Sequence, residues 1–232
     1  MAIARCTRLL RLLPVALSAQ MLAACSSIDE MPSSEIAIAH HSGDGHYGPL
    51  GDEMHPIPAL NVSRIKARNL RQFVEFKTDE DPGTIVIDTE NRFLFLVQEN
   101  NTAIRYGIGV GIDGLEFTGS AVVGFKRQWP RWTPTTDMIR RNADLYERWK
   151  GGMDGGPTNP LGARALYLFK DGRDTLFRIH GTAEPHTIGR AVSSGCIRMF
   201  NHDVIDLYRR VPTEARVVVM PAQFATSAPR SL

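Results

Sequence analysis

Short runs of β-branched and aromatic residues, separated by turn-forming stretches, fill the chain from Thr84 to Met220 and narrow the choice of fold. Thr84-Ile85-Val86-Ile87-Asp88 and Phe93-Leu94-Phe95-Leu96-Val97 flank Thr89-Glu90-Asn91-Arg92, the pattern of a hairpin. Residues 103–111 read as a third strand whose glycines mark close backbone approach. The runs 121–125, 165–169, 175–179 and 216–220 add four more. Two helical segments interrupt them. One runs from about Thr136 to Lys150 and stops at Gly151-Gly152; the other follows Asn201, a candidate N-cap, and ends before Pro212. Between Gly151 and Gly162 lies a Gly- and Pro-rich loop. Several short strands with few helices predict a mainly β domain of the sandwich type.

The N-terminus reads differently. Residues 1–24 carry Arg5, Arg8 and Arg11 without an acid, then a short apolar run ending in Leu22-Ala23-Ala24. That is the pattern of an export signal, too short and too interrupted by Ser18 and Gln20 to span a membrane. Leu22-Ala23-Ala24-Cys25-Ser26 resembles the bacterial lipoprotein signal, which implies cleavage before Cys25 and a diacylated, usually N-acylated N-terminal residue whose sulfur is capped as a thioether; the alternative is an ordinary signal cut at small residues. More than one acyl chain would hold the protein stably at a membrane. Ser26 after the Cys suggests, by resemblance to enteric sorting rules, the outer rather than the inner membrane of a periplasmic compartment.

Export changes the cysteine arithmetic. Cys6 leaves with the signal and Cys25 is capped, so Cys196 remains the one usable thiol in an oxidising compartment. Removing three Arg leaves 24 basic residues against 25 acidic ones, which gives no basis for nucleic-acid binding. Residues 26–60 are rich in Ser, Gly, His and Pro without a sustained period, as expected of a solvated tether that orders against the domain near Ile57-Pro58-Ala59-Leu60. His40, His41, His46 and His55 lack a metal-ligand spacing, so no metal is expected. The expected division is a signal at 1–24, a tether and extension at 25–81, a catalytic domain at 82–222 and a tail at 223–232.

The chemistry concentrates in Ile179-His180-Gly181-Thr182 and Ser193-Ser194-Gly195-Cys196-Ile197-Arg198-Met199. A thiol becomes a strong nucleophile by losing its proton, and an imidazole is a usual base for it. His180 ends a predicted strand, and Cys196 opens the segment leading to the last helix. If they meet, His180 takes the Cys196 proton, the Gly181 carbonyl orients the imidazole, and the Gly195-Cys196 turn offers amides to a developing oxyanion. Arg198 suits a substrate carboxylate or a structural ion pair. Ser193 suits a hydrogen bond to His or substrate, or plain turn chemistry. Trp129 and Trp132 suit a cleft wall or core packing. His186 reads as an exposed loop residue, and Asp203 and Asp206 as a solvated helix face or dipole partners.

His-Gly-Thr, Ile188-Gly189 and Ser-x-Gly-Cys-Ile-Arg-Met-x-Asn together resemble the signature of the L,D-transpeptidase (YkuD domain) family. The similarity extends over roughly residues 82–222, including Lys126-x-x-Trp129-Pro130-x-Trp132-Thr133-Pro134 and residues 159–165. It implies a cleft in a β-sandwich domain, Cys196 as nucleophile, His180 as base, Gly181 as orienting carbonyl, and no metal or organic cofactor. Many members carry His before the Gly-Cys pair, where this chain has Ser194. By the resemblance, the substrate is a peptidoglycan tetrapeptide stem. Its acyl group passes through a Cys196 thioester to an amine on a neighbouring stem, an envelope protein or a free D-amino acid. Stem trimming by water and non-catalytic wall binding are the alternatives.

Overall fold

The structure, a computed structural model, describes residues 43–111, 117–193 and 195–220. Cys6, Cys25, Ser194 and the tail from 221 lie outside the described residues. In chain order the elements are β1 (Gln72–Glu75), β2 (Ile85–Asp88), β3 (Phe93–Gln98), β4 (Thr102–Gly107), β5 (Val110–Gly111) and β6 (Gly119–Gln128). Then come α1 (Thr136–Arg141), α2 (Ala143–Tyr146), β7 (Arg164–Lys170), β8 (Arg173–His180), β9 (Ala191–Ser193), β10 (Ile197–Arg198), α3 (Asn201–Arg210) and β11 (Arg216–Met220). The domain is mainly β, with short helices. Among the described residues no helix is long and apolar enough to cross a membrane.

Nine strands form one sheet in the order β1-β4-β3-β2-β11-β6-β7-β8-β10, and β5 pairs with β9 in a second. β6 serves both halves of the large sheet. Residues 119–122 pair with β11 and residues 122–128 with β7, and the register shifts between Val123 and Phe125. A bulge of this kind bends and twists a strand, which lets it turn a corner between two layers. Leu94, Ile104 and Tyr106 from one half accordingly share a buried cluster with Leu166, Ile179 and Ile197 from the other. α3 packs on β7 and β8 through a face that buries Val204, Ile205 and Leu207.

The 136–150 segment is not one helix. Asn142 sits at φ −152°, ψ 81°, and its side chain accepts the Leu145 N–H to cap α2. Asn competes with the helix by such local bonds, and neither α1 nor α2 buries a residue that would enforce continuity. Asn201 is the first residue inside α3 rather than its cap; its Oδ1 accepts the Ala163 N–H at 3.0 Å. The predicted third strand also divides, since β4 and β5 belong to different sheets.

From Tyr47 onward the expected tether is packed against the domain. Tyr47 is buried with Ile188 and Phe200, Glu53 pairs with Arg164 and accepts Trp129 Nε1–H, and β1 lies antiparallel beside β4. Isolated anchors without a period gave no signal of this in the sequence. Asp203 and Asp206 are not a solvated face either. Asp203 is fully buried and accepts the Tyr47 hydroxyl, while Asp206 accepts Tyr106 at 2.7 Å and pairs with Arg71 at 2.6 Å. Burial pushes the Asp203 carboxyl up to about 7 against the opposing pull of Arg71. Asp206 falls to about 2 because bonds from Arg210, Tyr106 and Arg71 outweigh its burial.

Candidate active site

β8 and β10 run parallel with Ile197 opposite Ile179 and Arg198 opposite His180. Alternation along a strand then separates the residues by face. Ile179 and Ile197 point into the core, while His180 and Arg198 point to the other face, where they line one cleft with Cys196. The cleft holds about 380 Å³ and is walled by Trp132, Met138, Tyr146 and Trp149. The segment that follows Cys196 is clamped on both sides. Met199 N–H bonds His180 O, and Arg198 exchanges two backbone bonds with Gly109.

His180 is buried, with Nδ1 2.6 Å from the Gly181 carbonyl oxygen. A carbonyl only accepts, so the neutral ring carries its hydrogen on Nδ1 and leaves Nε2 as the basic nitrogen. Burial lowers the His180 pKa to about 4, and the charges of Arg198 and Arg178 push the same way. Gly181 is constrained by α3, since a methyl there would collide with Asn201 Oδ1 and crowd Val204.

Cys196 Sγ lies 3.9 Å from the Leu176 carbonyl oxygen. The positively charged Arg178 and Arg198, together with a bond from the Arg178 amide, favour the thiolate, but burial outweighs them and raises the thiol pKa. No hydrogen bond joins Cys196 to His180 among the described residues. Leu176 adopts a left-handed φ of 64° where β8 bulges against β7. That bulge aims its carbonyl at the sulfur, a placement that the alternation in the sequence did not signal.

Ser193 and Gly195 form the turn itself. The Ser193 hydroxyl donates to Cys196 O at 2.6 Å and accepts Gly195 N–H at 3.2 Å, while Gly195 takes φ 124°, a region that favours glycine. The Ser193 hydroxyl is thus spent on the turn rather than on substrate, and the Gly195 amide is spent with it instead of facing an oxyanion. Arg198 Nη1 donates to Glu184 Oε2 at 3.0 Å. Trp132 walls the cleft and meets the Tyr146 ring edge-on. Trp129 instead packs away from the cleft with Ile57, Ala163 and Ile205. His186 is exposed on a short helical turn. Glu184, passed over in the sequence, lines the cleft.

The family model for the L,D-transpeptidase catalytic domain, YkuD, matches residues 82–219. The "Probable L,D-transpeptidase ErfK/SrfK" of Escherichia coli (strain K12) is 36% identical over 148 residues, covering 62% of this chain and 46% of that protein. The "Probable L,D-transpeptidase YbiS" of the same organism is 35% identical over 137 residues, covering 58% and 43%. The chain therefore spans less than half the length of these two relatives. A crystal structure described as "a Probable carnitine operon oxidoreductase caia from Brucella melitensis" is 55% identical, covers 69% of this chain and 99% of that one, and superposes with a TM-score of 0.47. With the family match extending over more than half of its length, the chain belongs to the L,D-transpeptidase (YkuD) catalytic domain family.

Proposed function

We propose that the protein is an L,D-transpeptidase acting on peptidoglycan tetrapeptide stems through a Cys196 thioester. The observation that carries this reading is the β8–β10 register, which gathers His180, Arg198 and Cys196 on one cleft-facing side. His180 Nε2 takes the Sγ proton, and the thiolate attacks the carbonyl of the diamino acid that precedes the terminal D-alanine. The C–N bond breaks, the imidazolium returns its proton to the departing D-alanine amine, and a thioester remains. An acceptor amine then attacks, forms the new amide and frees the Cys196 thiol. With the Gly195 amide engaged, the Cys196 amide is the donor left from that turn to face the oxyanion. The acceptor is an amine of a neighbouring stem, an envelope protein or a free D-amino acid. No step calls on a metal or organic cofactor.

The leader reading completes the proposal: acylated Cys25 tethers the domain on the periplasmic side, at the outer rather than the inner membrane. The test is mass spectrometry of the full chain and of muropeptides after incubation with tetrapeptide stems, comparing the natural chain with Cys196→Ala. D-alanine loss with dimeric or amine-exchanged products that require Cys196 is expected. Tripeptide monomers alone would make the protein a carboxypeptidase, and neither turnover nor an acyl adduct would make it a wall-binding protein.

A further inference from the structure

The cleft holds two opposite charges side by side. Among the described residues that line it, Glu184 is the one carboxylate, and it pairs with Arg198, whose position opposite His180 is set by strand register. The Glu184 backbone is pinned: its N–H donates to Thr182 Oγ1 at 3.0 Å, and its carbonyl accepts the Thr187 hydroxyl at 2.7 Å. Its side chain is 57% exposed, against 20% for Arg198. A pair this open to water contributes little to stability, so a ligand can exchange with it cheaply. Arg198 also keeps a buried Nε with no hydrogen-bond partner, on a different edge of the guanidinium from the Nη1 that holds Glu184. An unpartnered guanidinium nitrogen in a substrate cleft is one half of a carboxylate clamp.

We infer that Glu184 and Arg198 form a subsite for a zwitterionic α-amino-acid head group, with Arg198 taking its carboxylate and Glu184 its ammonium. The inference rests on the transpeptidase reading and sharpens it. The head group belongs to the side chain of the diamino acid whose carbonyl Cys196 attacks. Arg198 lies two steps along extended chain from Cys196, a span of ~7 Å, which is within reach of an extended aliphatic side chain. The flanking Trp132, Tyr146 and Trp149 offer that aliphatic stem an apolar wall. Glu184 is then a specificity-determining residue, because a stem that lacks either charge leaves one member of the pair unanswered.

The test measures D-alanine release by the full chain, with a fixed excess of a free D-amino acid as acceptor. Four stems are compared: one ending its side chain in ammonium and carboxylate, one with that carboxylate amidated, one lacking the amine, and one with the amine alone, as in lysine. Loss of either charge is expected to lower kcat/KM by about ten- to a hundredfold, chiefly through KM. Glu184→Gln is expected to abolish discrimination by the amine yet keep discrimination by the carboxylate, and Glu184→Asp to restore part of the former. If Glu184→Gln lowers turnover of all four stems equally, Glu184 merely supports Arg198 and the subsite is overturned. Equal release from all four stems by the natural chain overturns the subsite and leaves the transpeptidase reading standing, whereas release from none overturns both.

Discussion

A buried imidazole beside two guanidinium groups is suited to staying neutral. With its pKa near 4, His180 is an unprotonated base at neutral pH, and Cys196, raised by burial, rests as the thiol. Acylation of Cys196 by a carbapenem-type β-lactam, followed by intact-protein mass spectrometry, is expected to lose rate on acidification only as pH approaches 4, where Nε2 protonates. An acid limb near 6.5, the ordinary imidazole value, would contradict a desolvated base. At this scale the sequence was most legible, because a thiol beside glycine and a histidine before glycine announce their own chemistry. Ser193 was less so, since a hydroxyl's partner depends on how the turn closes. Glu184 was unreadable, because nothing local to Thr182-Ala183-Glu184 says that Arg198 stands across from it.

Elements are where neighbours begin to decide. Gly162, Gly181 and Asn201 meet where β8 ends against α3, and Asn201 Oδ1 fills the space that a side chain at Gly181 would need. Gly181→Ala is expected to cost about 1–3 kcal/mol of stability, read from denaturant midpoints, and to slow Cys196 acylation by shifting the carbonyl that holds His180. Adding Asn201→Ala should recover part of the stability, a non-additivity that a double-mutant cycle measures. Strand positions were readable from their apolar runs, as β2, β3, β7 and β11 illustrate. The break at Asn142 and the bulge at Leu176 were not, because each replaces regular pairing with a local bond whose advantage depends on tertiary surroundings.

Across the whole molecule, the segment before the matched domain is part of the fold. Arg71 joins Asp206 at 2.6 Å and lies 3.6 Å from Asp203, and the Arg71 amide donates to the Tyr47 hydroxyl, which in turn donates to Asp203. Arg71→Ala leaves the buried Asp203 carboxyl without its cation, while Asp206 keeps its pair with Arg210, and is expected to cost about 3–5 kcal/mol. Thermal unfolding would read that loss, and proteolysis should become faster within residues 45–75. A change below 1 kcal/mol would mean that this network does not hold the extension down.

By itself, the sequence determined the β character and the family, and it singled out Cys196 and His180 as the candidate nucleophile and base, because apolar runs, a thiol and an imidazole act through chemistry carried along the chain. Tertiary structure alone decided which face of β8 meets the cleft, which carboxylate answers Arg198, and that Tyr47 to Glu75 belong to the body of the protein. Those outcomes depend on contacts between residues far apart in the chain, whose stabilisation exists only once the intervening loops have closed.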